Sequence, residues 1–191
     1  GPSVLQIDEI DKGAAGMVGS SGGDSGTSRR VLGTLLTWLS EKTSPVFVVA
    51  TANDVSQLPP ELLRKGRWDE MFFIDLPNAE ERKEIWSVQI KLKGRDPKKF
   101  NHEPLVASTE GWTGAEIEAL FIESMYAAFA DNKEPTTELL VELSANTVPL
   151  SKMMAEQIAG LRQWADGRCR MATAKKEQSA VVKNTRTRLL T

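Results

Sequence analysis

The feature that most constrains this chain is a short apolar run, Val4-Leu5-Gln6-Ile7, which is β-branched at two positions and ends abruptly in Asp8-Glu9-Ile10-Asp11. It reads as a buried parallel strand with carboxylates at its carboxyl end. A second run, Val46-Phe47-Val48-Val49-Ala50, is opened by Pro45 and ends in Thr51-Ala52-Asn53-Asp54; it is the strongest strand signal in the sequence. Between the two, Val31, Leu32, Leu35, Leu36 and Leu39 recur at three- and four-residue spacing. That spacing predicts an amphipathic helix from Ser28 to about Glu41, with Thr27 or Ser28 as its N-cap. Residues 13–28 are rich in glycine and serine and read as a flexible loop.

Downstream, Pro59-Pro60 starts a short helix through Leu63, Gly66 ends it, and Met71 to Ile74 reads as a third short strand. Pro77-Asn78 closes that strand, and a helix is expected from Glu80 to about Lys93. Beyond residue 95 the pattern gives only helices, at about 102–109, 114–130, 136–146 and 151–166. The chain therefore divides near residue 78 into a βαβ part and an all-helical part.

Composition narrows the classes. With 191 residues, 40% apolar and 26% charged, the chain suits one ordinary globular domain or two small ones. No apolar run approaches the roughly 18 residues of a membrane span, and the acidic residues from Asp8 onward argue against a signal peptide. The single cysteine, Cys169, cannot form an internal disulfide, so a reducing compartment is expected. The net charge of −2 hides an asymmetry: residues 167–191 hold seven basic side chains against Glu177 alone. Such a tail reads as a solvated, partly disordered end, or as one that docks on an anionic partner.

Three constellations carry chemistry. Side chains alternate along a strand, so Asp8 and Glu9 can address different atoms at its carboxyl end, where open α/β sheets place ligands. One carboxylate there can hold Mg²⁺ while its neighbour deprotonates an attacking water; taken alone, the pair is also an ordinary solvated strand end. Asn53 can position water near a γ-phosphate without charge repulsion, or serve as a turn residue. Arg64 and Arg67, in Leu63-Arg64-Lys65-Gly66-Arg67-Trp68-Asp69, can reach an anion on a neighbouring subunit, or simply decorate a helix end.

Together the three resemble the second half of an AAA ATPase module. Val4-Leu5-Gln6-Ile7-Asp8-Glu9 is similar to its Walker B strand and Ala50-Thr51-Ala52-Asn53 to its sensor-1 strand. The segment from Leu58-Pro59-Pro60 through Asp69-Glu70 is similar to the second region of homology with its arginine fingers, and Gly111-Trp112-Thr113-Gly114-Ala115-Glu116-Ile117 to the sensor-2 turn of the helical lid. The resemblance covers about residues 1–130, with four motifs in the family's order. Ile7-Asp8-Glu9-Ile10-Asp11-Lys12-Gly13, Thr37-Trp38-Leu39, Glu41-Lys42-Thr43-Ser44-Pro45 and Thr147-Val148-Pro149-Leu150-Ser151 further resemble the AAA proteins of cyanobacterial and plastid genomes known as hypothetical chloroplast reading frames.

The resemblance implies an incomplete parallel P-loop NTPase sheet followed by an all-α lid. It divides the chain into 1–78, a partial α/β nucleotide-binding subdomain; 79–166, the helical lid; and 167–191, the basic tail. It further implies ATP and Mg²⁺ as cofactors, with Asp8 as the metal ligand, Glu9 activating the hydrolytic water and Asn53 sensing the γ-phosphate. Arg64 and Arg67 would act in trans, in a homo-oligomer that is a hexamer in the parent protein. Gly114 and Ala115 would lie close to the adenosine, and the loop 13–28 takes the place of the second pore loop. The activity implied is ATP-driven remodelling of a macromolecule, in the cytoplasm or a plastid stroma.

One departure matters. No GxxxxGK[ST] occurs in the 191 residues, so the backbone donors and lysine that cradle the β- and γ-phosphates are missing. The expectation is a fragment of an ATPase that is inactive alone, or else a non-catalytic pseudo-ATPase or protein-interaction module. In the family's sheet order, 5-1-4-3-2, the strands here are the third, fourth and fifth. The gap left by the first strand exposes edges that seek a partner. Weaker readings concern the remaining candidates. The five tryptophans (38, 68, 86, 112 and 164) suit packing better than base stacking, and His102 lacks the partners of a metal site. Cys169, between Arg168 and Arg170, reads as an ordinary thiol or one with a lowered pKa. Nucleic-acid binding by the tail lacks aromatic interleaving.

Overall fold

The computed structural model describes residues 2–15, 25–64 and 66–173. They fall into two compact units that meet in sequence between Met71 and Phe72. Unit 1 contains β1 (Ser3–Ile7), α1 (Ile10–Ala15), α2 (Ser25–Glu41) and β2 (Val46–Ala50). The strands are parallel and in register from Ser3 opposite Val46 to Ile7 opposite Ala50, so both carboxyl ends finish together. This is the expected βαβ unit, with α1 and α2 in its crossover.

Several local expectations change. The loop anticipated over 13–28 is shorter, because α1 runs through Gly13 to Ala15 and α2 begins at Ser25, ahead of Thr27 and Ser28. The rest of that loop, at 16–24, lies outside the described residues, as does the tail from 174 onward. In place of a helix from Pro59 to Leu63 there is a 3-10 turn, Val55–Gln57, followed by two tight turns closed by Leu62 N–H to the Pro59 carbonyl and Leu63 N–H to that of Pro60. Two consecutive prolines supply no backbone donors of their own, which favours turns over continued helix. The core of unit 1 is small: Ile10, Leu58 and Leu62 are buried, with Leu35, Leu36 and Trp68 packed against them. β1 is not the buried strand expected of it. Val4 is 71% and Phe47 of β2 68% exposed, because two strands and two helices cannot enclose a sheet.

Unit 2 holds β3 (Phe72–Phe73), α3 (Ala79–Leu92), α4 (His102–Ser108), α5 (Gly114–Ala130), α6 (Thr137–Ala145), α7 (Leu150–Met153), α8 (Ala155–Ala165) and β4 (Arg170–Met171). The third strand is thus confined to two residues, and it pairs in parallel with β4, not with the β1–β2 pair. β4 also departs from the purely helical pattern expected after residue 95. The segment that follows α8 turns back: Ala172 N–H donates to the Phe73 carbonyl, and Thr173 Oγ1 donates to Glu81 at 2.6 Å. Arg162 grips both oxygens of Asp75, which raises the guanidinium pKa further through that hydrogen bond.

In unit 2, α3, α4, α5 and α6 carry side-chain N-caps, whereas α7 and α8 have none. Asn78 accepts from the N–H groups of Glu80 and Glu81 while Glu81 reaches back to Asn78 N–H, a reciprocal capping box. Trp86, Ile90, Leu105, Trp112, Ile117, Leu120, Phe121 and Leu140 close one core, with Phe100 set edge-on to Phe121 at 5.8 Å. Trp86 Nε1 donates to Thr109 Oγ1, whose hydroxyl donates to the Leu105 carbonyl at 2.6 Å, whereas Arg82 Nε, Gln89 Oε1 and His102 Nδ1 of this unit are buried without a partner among the described residues. Trp86 and Trp112 are buried and the other three tryptophans half-buried. Burial raises the Cys169 thiol pKa, and Arg168 opposes it only in part, so the lowered value considered from sequence is not found.

Candidate functional site

The site is assembled at the carboxyl ends of β1 and β2 around Thr51. Thr51 N–H donates to the Ile7 carbonyl, and the Thr51 carbonyl accepts from Ile10 N–H, so the ladder continues one step past each strand. The Thr51 hydroxyl donates to Asp8 Oδ1 at 2.9 Å and accepts from Glu9 N–H at 3.1 Å. One small β-branched residue thereby fixes both carboxylate-bearing positions. Glu9 occupies the left-handed region at φ +51°, which turns the chain from β1 into α1 and brings Ile10 back over the core. That conformation costs a side-chain-bearing residue about 1–2 kcal/mol and is held only because the surroundings impose it.

The structure brings Asp8, Glu9 and Asn53 together. Asn53 Nδ2 lies 3.5 Å from Glu9 Oε1, and Lys12 Nζ lies 2.5 Å from the same oxygen. Lys12 has its pKa raised: the hydrogen bond to Glu9 outweighs the opposing desolvation, and the nearby Glu9 and Asp11 charges add to it. Asp8 Oδ2 accepts from Gln6 Nε2 at 3.3 Å. Asp8 is exposed, so its carboxylate faces solvent at the strand end. One hard oxygen donor, with room for water and phosphate oxygens, suits Mg²⁺, which binds through one or two carboxylates and keeps several waters. Among the described residues no cluster of three or more His, Cys, Asp or Glu side chains could hold a metal by itself.

The two arginines differ. Arg64 is exposed; its carbonyl accepts from Arg67 N–H, while its guanidinium makes no hydrogen bond or ion pair among the described residues. Arg67 is half-buried and donates from its guanidinium to the Leu36 carbonyl of α2, in its own chain. Gly114 and Ala115 lie at the start of α5 in unit 2, where Thr113 and Glu116 form a capping box. A Cβ at Gly114 would meet only Ile85, at 3.8 Å, so the fold of unit 2 does not itself demand glycine there. Glu116 also accepts from Leu150 N–H at 2.6 Å. Partial burial pushes its pKa up, but the hydrogen bonds from Leu150 and Thr113 outweigh it and hold the carboxyl below its ordinary value.

Sequence reasoning missed two members. Thr51 stood in the motif as a neighbour of Asn53, and its hydroxyl bridging became visible only with the strands in register. Asp11 is 4% exposed and accepts from Asp54 N–H through Oδ2 at 3.0 Å. A third acid after Asp8-Glu9 was in the sequence, but its burial was not.

Comparison with known proteins gives the family of the chain. The family model for the ATPase family associated with various cellular activities (AAA) matches residues 1–76. An uncharacterized AAA domain-containing protein ycf46 of Pyropia yezoensis is 49% identical over 90% of this chain and 35% of its own length. The protein of that name from Trieres chinensis is 47% identical over 92% of this chain and 35% of its own. A proteasome-activating nucleotidase of Saccharolobus solfataricus is 34% identical over 80% of this chain and 39% of its own. The chain thus spans about 35% of the length of the first of these relatives. The chain, in which Thr51 holds Asp8 and Glu9 at the strand end and Asn53 lies against Glu9, is matched in sequence to these proteins and belongs to the AAA ATPase family.

Proposed function

We propose that this chain supplies the hydrolytic side of a Mg²⁺-dependent ATPase that couples ATP turnover to the remodelling of a macromolecule. The observation that carries the reading is the Thr51-centred clamp, which presents Asp8, Glu9 and Asn53 at one strand end. Asp8 would hold the metal of MgATP, and Mg²⁺ would neutralise charge on the phosphates. Glu9 would take the proton of the attacking water, within reach of the Asn53 amide that orients it near the γ-phosphate. The Lys12 ammonium sits on the Glu9 oxygen that would take the proton, so it would have to swing aside for that step.

Arg64 and Arg67 would stabilise charge on ATP held by an adjacent subunit of a ring, a hexamer in the parent protein. The exposure of Arg64 suits that role, whereas Arg67 would first release the Leu36 carbonyl. Gly114 and Ala115 would pack near the adenosine. The nucleotidase relatives carry a nucleotide-directed activity in their name, which supports the same reaction class. No helix among the described residues is long and apolar enough to cross a membrane, and cytoplasm or plastid stroma is the compartment we infer.

A second reading rests on the absence of any GxxxxGK[ST] in the 191 residues: by itself the chain would act as a non-catalytic interaction module. Calorimetry with MgATP separates the two. We expect no binding heat from the 191-residue chain, and binding once a phosphate loop is supplied by a longer polypeptide of the same protein, abolished by Asp8→Ala. Absence of binding in the longer polypeptide would leave only the interaction module.

A further inference from the structure

We propose that Asp11 is a positioning residue for the pair formed by Glu9 and Asn53, acting through the backbone N–H of Asp54. The meaning given to that pair rests on the hydrolytic reading above. The segment that follows β2 is pinned at two points. Thr51 is fixed by the extended ladder and by its hydroxyl. Three residues later, Asp54 N–H is fixed by Asp11 Oδ2 at 3.0 Å, from the first turn of α1. Asn53 sits between these pins.

The N–H of Asp54 belongs to the peptide plane that also contains the Asn53 carbonyl, so anchoring it sets ψ at Asn53 and with it the direction in which the side chain leaves the backbone. That direction is decisive because Asn53 Nδ2 stands 3.5 Å from Glu9 Oε1, at the long limit of a hydrogen bond. A small rotation either closes or abolishes the contact. Asp11 lies two residues beyond Glu9 on the same turn out of β1, so one short segment carries both the base and the clamp on its partner.

The residue type supports a role beyond folding. One backbone N–H needs one acceptor, which a neutral side chain supplies. Asp11 instead carries a second oxygen, Oδ1, that is buried without a hydrogen-bond partner among the described residues. An unpaired buried polar group of this kind is costly; it is shared by Arg82 Nε, Gln89 Oε1 and His102 Nδ1, so the clamp itself rests on the bond from Asp54 N–H.

The test is nuclear magnetic resonance of the full 191-residue chain without nucleotide, reading hydrogen exchange at Asp54 N–H and the side-chain amide resonances of Asn53. In Asp11→Ala we expect Asp54 to exchange at least about tenfold faster, as for a backbone amide released from its acceptor. The Asn53 side-chain resonances should move towards those of a Glu9→Ala control, with the amides of unit 2 unchanged. Asp11→Asn keeps an acceptor and should restore both readings. Unchanged Asp54 protection in Asp11→Ala would overturn the proposal, as would an asparagine variant no better than alanine. Should the alanine variant not fold, Asp11→Asn decides alone: retained protection with unmoved Asn53 resonances supports the clamp, and lost protection refutes it. Since no nucleotide is present, a failed clamp leaves the hydrolytic reading standing, and a failed MgATP measurement leaves the clamp standing.

Discussion

The two units solve the problem of a core differently. Unit 2 buries Trp86, Ile90, Leu105, Ile117, Phe121 and Leu140 almost completely, with helices capped at both α3 and α5. Unit 1 has three residues at the centre of its core and leaves apolar side chains of both strands in solvent. The candidate site stands on the less enclosed of the two. Its geometry comes from hydrogen bonds at the strand ends, centred on Thr51 and Asp11, more than from packing beneath them. A polar clamp of this kind can hold a precise arrangement where apolar burial is thin, but each of its bonds adds only about 0.5–1.5 kcal/mol net.

The sharpest way to break the contrast is to open the closed core. Trp86→Ala should cost about 3–5 kcal/mol in unit 2, through lost burial and the cavity left behind. Chemical denaturation followed by helical circular dichroism would register it. An effect below about 1 kcal/mol would mean that this core is not the cooperative one described. Hydrogen exchange should show the same contrast without mutation: amides of β1 and β2 should exchange faster than those of α3 and α5. Equal protection would remove the distinction between the units.

A subtler pair sits in the lid turn. Gly111 has φ +78°, and a Cβ there would meet Ser151 Oγ at 2.8 Å, so Gly111→Ala should destabilise by about 1–2 kcal/mol. Gly114→Ala should change the stability of unit 2 by no more than about 0.5 kcal/mol, since the added methyl finds ordinary contacts. If Gly114 does face adenosine, its alanine variant will weaken nucleotide binding in the longer polypeptide while melting normally. On the open unit, Phe47→Thr should likewise stay within about 0.5 kcal/mol, because the ring is already in solvent. A larger loss there would show that something covers the strand in solution.

The smallest expected effect is the pH response of Glu116. Its folded pKa lies below the ordinary 4.5, so its contribution is fully present above that pH and is lost as pH falls through the depressed folded value. Solvent screening keeps it under about 1 kcal/mol. Glu116→Gln should flatten the acid limb of unit 2 melting; an unchanged limb would assign the acid sensitivity to other carboxylates.

Much of this was legible in the amino-acid order. The run Val46–Ala50 and the helix Gly114–Ala130 were read with the bounds they have, because apolar periodicity and flanking proline, glycine and threonine speak locally. The order of acids, asparagine and arginines identified the family. Where the reading failed, distant residues decided. β3 shrank to two residues and found β4, nearly a hundred positions away, as its neighbour. β1 turned out exposed, since its burial depends on how many strands and helices surround it. Glu116, without a role in the motif, ties the start of α5 to the chain at Leu150.

The sequence by itself determined the chemistry offered: two carboxylates after one apolar strand, an amide after the next, and arginines following. Periodicity and strand-end composition are short-range properties, and they survive in any list of residues. Only the tertiary structure decided which of these groups meet. The parallel register placed the Thr51 hydroxyl between Asp8 and Glu9, and the turn at Glu9 carried Asp11 under Asp54. Those contacts join residues more than forty apart, and a hydrogen bond depends on positions to within a few tenths of an ångström, which only the folded chain supplies.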